Sequence, residues 1–279
     1  MRLFNNLIVG IRRAAEVSGG FLRIGFQDSI SYPLAFIISQ LGAVLPAVIY
    51  FFVAKLVDRS GSNVGGDYYT FVIIGLVGVE ILNAGLRSFS NEIDRALRLG
   101  WFEMILVEPV RWSLLPFAMS QWAALQSILR SFLLLTIAWI LGASYELSGF
   151  APSILTLLLG LFAGLAVGTL SASLKVLAKS GDPILFIYSL AAQVFSGVYF
   201  PLEFLPTWLQ PISLLVPHTY VIAALRRALM PQESGLPGMD FGGAMLALVA
   251  FNGVIFPAAM WLYNRAMEYG RKLGVLSGY

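Results

Sequence analysis

A few side chains stand where polar chemistry is costly. Glu80 lies midway along one long apolar run, with Asn83 one turn on and Arg87 two turns on, and Arg130 lies near the middle of the next run. Ionisable groups inside a membrane are expensive, so they neutralise one another or mark a polar path. A Glu80–Arg130 pair across two helices satisfies the first condition and is the reading adopted; a polar patch along a path is the alternative. If the run holding Arg130 began later, its guanidinium would instead snorkel to the interface. The single histidine, His218, follows Pro217 and has no cysteine or second histidine to share a metal with, so a hydrogen-bonding role suits it. A P-loop needs Gly-x-x-x-x-Gly-Lys-Ser/Thr. Lys179-Ser180, preceded by Ala178, has no glycine-rich loop leading into it. Zero cysteines exclude disulfides, thiolate metal sites and a cysteine nucleophile. With no catalytic or metal constellation in view, the chain is not expected to be an enzyme.

The elements that must hold these residues follow from composition. Of 279 residues, 58% are hydrophobic and 12% charged, and the mean hydropathy is +0.80. Soluble domains carry about 25% charged residues, so half that amount cannot cover a water-soluble surface. Disorder is excluded because 13% of the residues are aromatic, and a net charge of +3 does not point to nucleic acid. The expectation is an all-α integral membrane protein. Six segments have the roughly 20 apolar residues a spanning helix needs: 32–57, 68–86, 118–141, 151–177, 183–200 and 243–263. Prolines 33, 46 and 257 are tolerated in spanning helices.

Loop charge orients the bundle. On the side of the N-terminus lie Arg2, Arg12, Arg13, Arg23, Arg87, Arg95, Arg98, Arg111, Lys175, Lys179, Arg265, Arg271 and Lys272. The opposite side has Lys55, Arg59, Arg226 and Arg227. Both termini are therefore expected in the cytoplasm. The organisation expected is a cytoplasmic interfacial amphipathic helix over 1–31 and a six-helix transmembrane domain over 32–279, with a cytoplasmic loop at 87–111 and an outer re-entrant segment at 200–227.

Phe4, Leu7, Ile8 and Ile11 recur at helical spacing opposite Arg12, Arg13 and Glu16, which suits a helix lying on the membrane surface and contacting lipid phosphates. Ser18-Gly19-Gly20 is expected to break it. The loop at 87–111 is the most polar part of the chain. Asn91 to Arg98 reads as a short, mixed-charge helix with Ile93, Leu97 and Trp101 on one side. Glu92, Asp94, Arg95, Arg98, Gly100, Trp101 and Glu103 are its candidate partner-binding residues. Gly160, Gly164, Gly168 and Ala172 form a small-residue stripe that lets another helix approach closely, a packing feature. The stretch 195–230 is too apolar for a free loop, and Pro201, Pro206, Pro211 and Pro217 forbid one straight helix. Short helices dipping back into the outer leaflet satisfy both constraints. Phe200, Pro201, Leu205, Pro206, Trp208, Pro217 and Tyr220 are the candidates for an outer gate.

These segments together resemble a known family. The order of an amphipathic start, six spans and Gly100-Trp101-Phe102-Glu103…Pro109 is followed by Ser196-Gly197-Val198-Tyr199-Phe200-Pro201…Leu205-Pro206-Thr207-Trp208-Leu209, Pro217-His218-Thr219-Tyr220 and Arg226. Over nearly the whole chain this is similar to the membrane subunit of a type-2 ATP-binding-cassette exporter. The family's inner loop reads Gly-Thr-x-Glu, a leucine-rich turn, then Pro; Gly100, Glu103 and Pro109 match, and Trp101 stands where Thr is common. The resemblance implies that the inner loop is a coupling helix docking on a separate ATPase, with two copies of each subunit in the transporter. It places ATP and Mg on the partner subunit and no cofactor in this chain. It also implies re-entrant helices closing the outer exit, and a multi-pass location in the plasma membrane, the bacterial inner membrane.

Three functions compete. The first is an exporter permease moving a hydrophobic or amphipathic substrate (a drug, lipid or lipid-linked glycan), with hydrophobic small molecules or lipids preferred. The second is an ion-coupled secondary transporter using Glu80 and Arg130; such folds often carry paired broken segments, and here the broken segment occurs once. The third, a membrane-embedded enzyme, lacks a visible nucleophile, metal cluster or acid pair.

Overall fold

The computed structural model describes residues 2–59, 68–101, 104, 111–178, 183–230 and 239–272. Among them all regular structure is helical: α1 (Arg2–Ser31), α2 (Pro33–Arg59), α3 (Tyr68–Leu99), α4 (Leu115–Ile140), α5 (Phe150–Ala178), α6 (Pro183–Phe195), α7 (Gln210–Ser213), α8 (Pro217–Leu229) and α9 (Phe241–Lys272). Single 3-10 turns lie at Trp112–Leu114, Leu147–Gly149 and Leu202–Phe204. Among the described residues, five helices (α2, α3, α4, α5 and α9) are long and apolar enough to cross a membrane.

The structure corrects three expected boundaries. The 183–200 run yields a helix of only 13 residues that stops at Phe195. At 1.5 Å per residue it covers about 20 Å; Ala178, the end of α5, lies shortly before it, and residues 179–182 lie outside the described residues. The chain turns instead at Gly197, whose φ of 73° lies in the left-handed region that favours glycine. The charged stretch Asn91–Arg98 is not a separate loop helix, because α3 runs unbroken for 32 residues through it. Ile93, Ala96 and Leu97 are buried, so the apolar face established inside the bundle continues past the span. The helix stops at Gly100, where φ is 75° and the N–H donates to the Leu97 carbonyl at 3.4 Å. Ser18-Gly19-Gly20 does not break α1. Each glycine costs only about 1 kcal/mol in a helix interior, and the flanking turns propagate across the pair.

Near Pro33 the helical ladder also persists, with Tyr32 N–H donating to Asp28 O at 3.1 Å and Phe36 N–H to Tyr32 O at 3.0 Å. Pro46 and Pro257 sit inside α2 and α9.

α3 is the centre of the bundle. It packs against α5 through a seam of small residues. A Cβ at Gly85 would meet the Leu161 carbonyl, one at Gly164 the Leu82 carbonyl, and one at Gly168 the Leu86 carbonyl. At Gly164 and Gly168 the stripe read from sequence is thus a backbone-to-backbone contact, Gly160 faces the Val221 side chain, and Ala172 at its end is fully buried. α4 packs on the other side of α3, α2 covers both, and α9 lies against α5 and α8. Ile37, Leu41, Phe52, Phe132, Leu158, Val249 and Val254 stay exposed on the bundle's surface, as lipid-facing residues must. Hereafter the end carrying Leu99 and Leu115 is the lower end and the opposite one the upper end.

Candidate functional site

The polar residues collect at three levels along α3. At the lower end, its last two turns carry Glu92, Asp94, Arg95 and Arg98. Arg98 pairs with Asp94 one turn earlier. Arg95 lies 3.9 Å from Glu92 and reaches across to Asp28 of α1 at 3.4 Å. Arg95 and Arg98 keep half or more of their side-chain surface exposed. Ile93 and Leu97, on the opposite side of the same turns, join a core cluster with Phe89, Met119, Val176, Tyr263 and Met267. Trp101 packs half-buried against that cluster. The expected grouping of Ile93, Leu97 and Trp101 is therefore present, and it holds the charged tip in fixed register with the bundle. Glu103 and Pro109 lie outside the described residues.

At the middle level, Arg130 Nη1 of α4 donates to Glu80 Oε1 of α3 at 3.3 Å. The pair expected from sequence forms, and it cancels both charges. Arg130 is not a snorkelling residue, because it sits well inside α4. About a quarter of each side chain is exposed, and Asn83 is half-buried one turn below. Removing one partner leaves the other charge uncompensated, whereas removing both does not. Glu80→Ala is therefore expected to cost about 2 kcal/mol. The double variant Glu80→Ala/Arg130→Leu should recover most of that loss, as a thermal-unfolding cycle in detergent micelles would measure.

At the upper end, Arg226 of α8 is buried. Its Nε and Nη2 donate to the Phe71 carbonyl at 3.3 and 3.1 Å, Nη1 to Gly197 O at 2.8 Å, and Nη2 to Val198 O at 3.0 Å. Its guanidinium carbon lies 3.3 Å from the centre of the Phe71 ring, close enough for a cation–π contact. Gly75 makes room for this clasp, since a Cβ there would come within 2.9 Å of Val198 O and 3.0 Å of Arg226 Nη2. One side chain thus ties α8, the turn after α6 and the start of α3 together. Sequence reasoning counted Arg226 among the outer-side charges and as the last residue of the family motif, without giving it a structural role. The signal it overlooked is that Ile222, Leu225 and Leu229 surround Arg226 on α8 at helical spacing, and all are buried.

The gate candidates divide into two sets. Leu205 and Pro217 are buried, Phe200, Pro201 and Tyr220 half-buried, and Pro206 and Trp208 exposed. Phe204, Trp208 and Leu215 form an apolar rim, each more than 70% exposed. The segment is held by its own hydrogen bonds: Tyr220 Oη donates to Leu214 O at 2.6 Å and Thr219 Oγ1 to Ser213 O at 2.7 Å. Burial raises the Tyr220 phenol above its ordinary value, so it stays a donor. His218 is buried, and burial pushes its imidazole down to about 3. The neutral ring meets Tyr188 Oη through Nδ1 at 3.4 Å.

All three levels fall inside one stretch recognised by a family profile: the ABC-2 type transporter profile matches residues 22–230. The chain belongs to the ABC-2 type transporter family. A search of curated proteins returned no match. As an ABC-2 permease, the chain is the membrane component of its transporter, and permeases of this family typically work with an ATPase partner. The matched range of the permease runs from the last turns of α1 to the end of α8, so the charged tip, the ion pair and the Arg226 clasp all belong to the family's own region.

Proposed function

We propose that this permease is the spanning half of an ATP-driven exporter. It moves a hydrophobic or amphipathic molecule (a drug, lipid or lipid-linked glycan) out of the cytoplasm or inner leaflet by alternating access. The reading is carried by the continuity of α3. Over 32 residues, about 48 Å at 1.5 Å per residue, a single rod joins a charged lower tip to the Arg226 clasp at the upper end. A cassette ATPase that grips the tip differently in its nucleotide states can bias the inward–outward equilibrium only by that difference in affinity. An unbroken helix passes the difference to the far end with little loss.

In this reading two copies of the permease and two of the ATPase form the transporter. The segment 87–111, which begins as the last turns of α3, docks on the ATPase through Glu92, Asp94, Arg95, Arg98, Gly100, Trp101 and Glu103. Residues 200–227 dip back into the outer leaflet and close the exit. ATP and Mg are bound by the partner. Both termini face the cytoplasm, and the membrane is the bacterial inner membrane. The ion pair between Glu80 and Arg130 supports a structural link between α3 and α4, which favours this reading over ion coupling.

The test is co-purification with a cassette ATPase, followed by assay in vesicles. Glu103→Lys is expected to leave the permease folded while ATP hydrolysis no longer drives transport. Unchanged coupling in reconstituted vesicles would count against the docking role. Transport by the permease alone, driven by a pH gradient, would overturn the exporter reading.

A further inference from the structure

Where α1 passes α3 and α4 near the lower end, the structure holds an open cleft of about 300 Å³. Its walls are fixed by close packing. Gly25 carries no Cβ, and one placed there would overlap the ring and Cβ of Trp122, so the indole of α4 seats directly on the α1 backbone. One turn further, Gln126 Nε2 donates to Ser29 Oγ at 3.5 Å. Asp28, Glu92 and Arg95 line the polar side, and Trp122, Phe36 and Tyr32 the apolar side.

The charges on the polar side do not balance. Two carboxylates face one guanidinium, which leaves a net charge of about one negative unit. The side chain of Glu92 is only 34% exposed, yet its contact with Arg95 is a 3.9 Å ion pair, too long for a hydrogen bond. Among the described residues Asp28 accepts one long side-chain bond, from Arg95 at 3.4 Å. Both carboxylates therefore retain acceptor capacity toward the cleft. An ammonium group matches this demand, with three N–H donors and one positive charge, and Trp122 supplies part of the apolar wall beside it.

Depth selects the rest of the ligand. Glu80 lies twelve residues from the upper end of α3 and Arg130 ten from that of α4, about 15–18 Å down, which is half of a 30 Å core. Glu92 is twelve residues further along α3, about 18 Å below the pair and at headgroup level. Ile24 and Tyr32, each more than half exposed, line the cleft and offer apolar surface for an acyl or alkyl chain.

We infer that this cleft binds an amphiphile through a protonated primary amine, either the headgroup of an aminophospholipid or an amine-bearing cargo molecule. The site requires no ATPase, so its test is independent of the exporter reading.

The test uses the full-length permease in maltoside micelles, titrated with dioctanoyl phosphatidylethanolamine, dioctanoyl phosphatidylcholine, decylamine and decyltrimethylammonium, with bound ligand counted by native mass spectrometry. Primary amines should bind about tenfold more tightly than their trimethylated counterparts, which keep the charge but lose the N–H donors. Asp28→Asn and Glu92→Gln should each abolish that preference, and Glu16→Gln, on the exposed part of α1, should retain it. A preference for both phosphatidylethanolamine and decylamine identifies a lipid headgroup site; a preference for decylamine alone identifies a cargo site. Equal binding of primary and trimethylated amines by the wild-type permease overturns the proposal, whatever the variants do. A preference that survives both substitutions overturns it as well.

Discussion

Arg226→Ala should unfold the upper end of this permease. The substitution removes one guanidinium that serves three main-chain carbonyls, and it empties the space over the Phe71 ring. Hydrogen bonds to a charged donor contribute about 1.5–3 kcal/mol each, and a buried acceptor left without its donor bears the desolvation cost. The expected loss is on the order of 5 kcal/mol, among the largest that single substitutions produce. It would appear as a collapse in the yield of monodisperse protein and a drop in the thermal midpoint. Arg226→Lys should fall between the two, because a compact ammonium cannot span carbonyls on three segments as a planar fork does. Arg227→Ala, next to it and only half-buried, serves as the control. Equal effects at 226 and 227 would show that the clasp does not hold the upper segment.

Gly164→Leu is expected to be comparably severe for a different reason. The new side chain would be driven into the Leu82 carbonyl, with Leu86 N at 3.1 Å from the Cβ position. Main chain cannot rotate away as a flexible side chain can, so α3 and α5 must separate. Overpacking of a core commonly costs 1–3 kcal/mol; separating the two central helices should exceed about 4 kcal/mol, since their contact also sets the positions of α4 and α9. Little folded protein should be recovered from membranes. Gly19→Ala makes the contrast. Its Cβ meets nothing within 4 Å, and alanine gains about 1 kcal/mol of helix propensity over glycine, so that variant should be at least as stable as the wild type. A Gly164→Leu permease of normal yield and thermal midpoint would mean that the close seam is not what orders the bundle.

The sequence alone was enough for whatever depends on local spacing or on the cost of charge in an apolar medium. Composition gave the membrane class, and five of the six apolar runs mark the long helices, although α3 continues to Leu99 and α9 to Lys272, well past the runs that mark them. The Gly160–Gly168 stripe gave a close helix contact, and the expense of two buried charges gave the Glu80–Arg130 pair. The motifs around Gly100, Gly197 and Pro217 gave the family. Tertiary structure alone decided the remainder, because it turns on which surfaces meet. Whether Asn91–Arg98 is a loop or the end of α3 depends on Phe89, Ile93 and Leu97 finding a shared core with α9, and local sequence does not record that partner. That the 183–200 run ends at Phe195 depends on the Gly197 and Val198 carbonyls being claimed by Arg226, nearly thirty residues away. Charge is a property of a residue type, whereas burial is a property of its neighbours, so Arg226 read as an outer-loop cation until α3, α6 and α8 were seen to close around it.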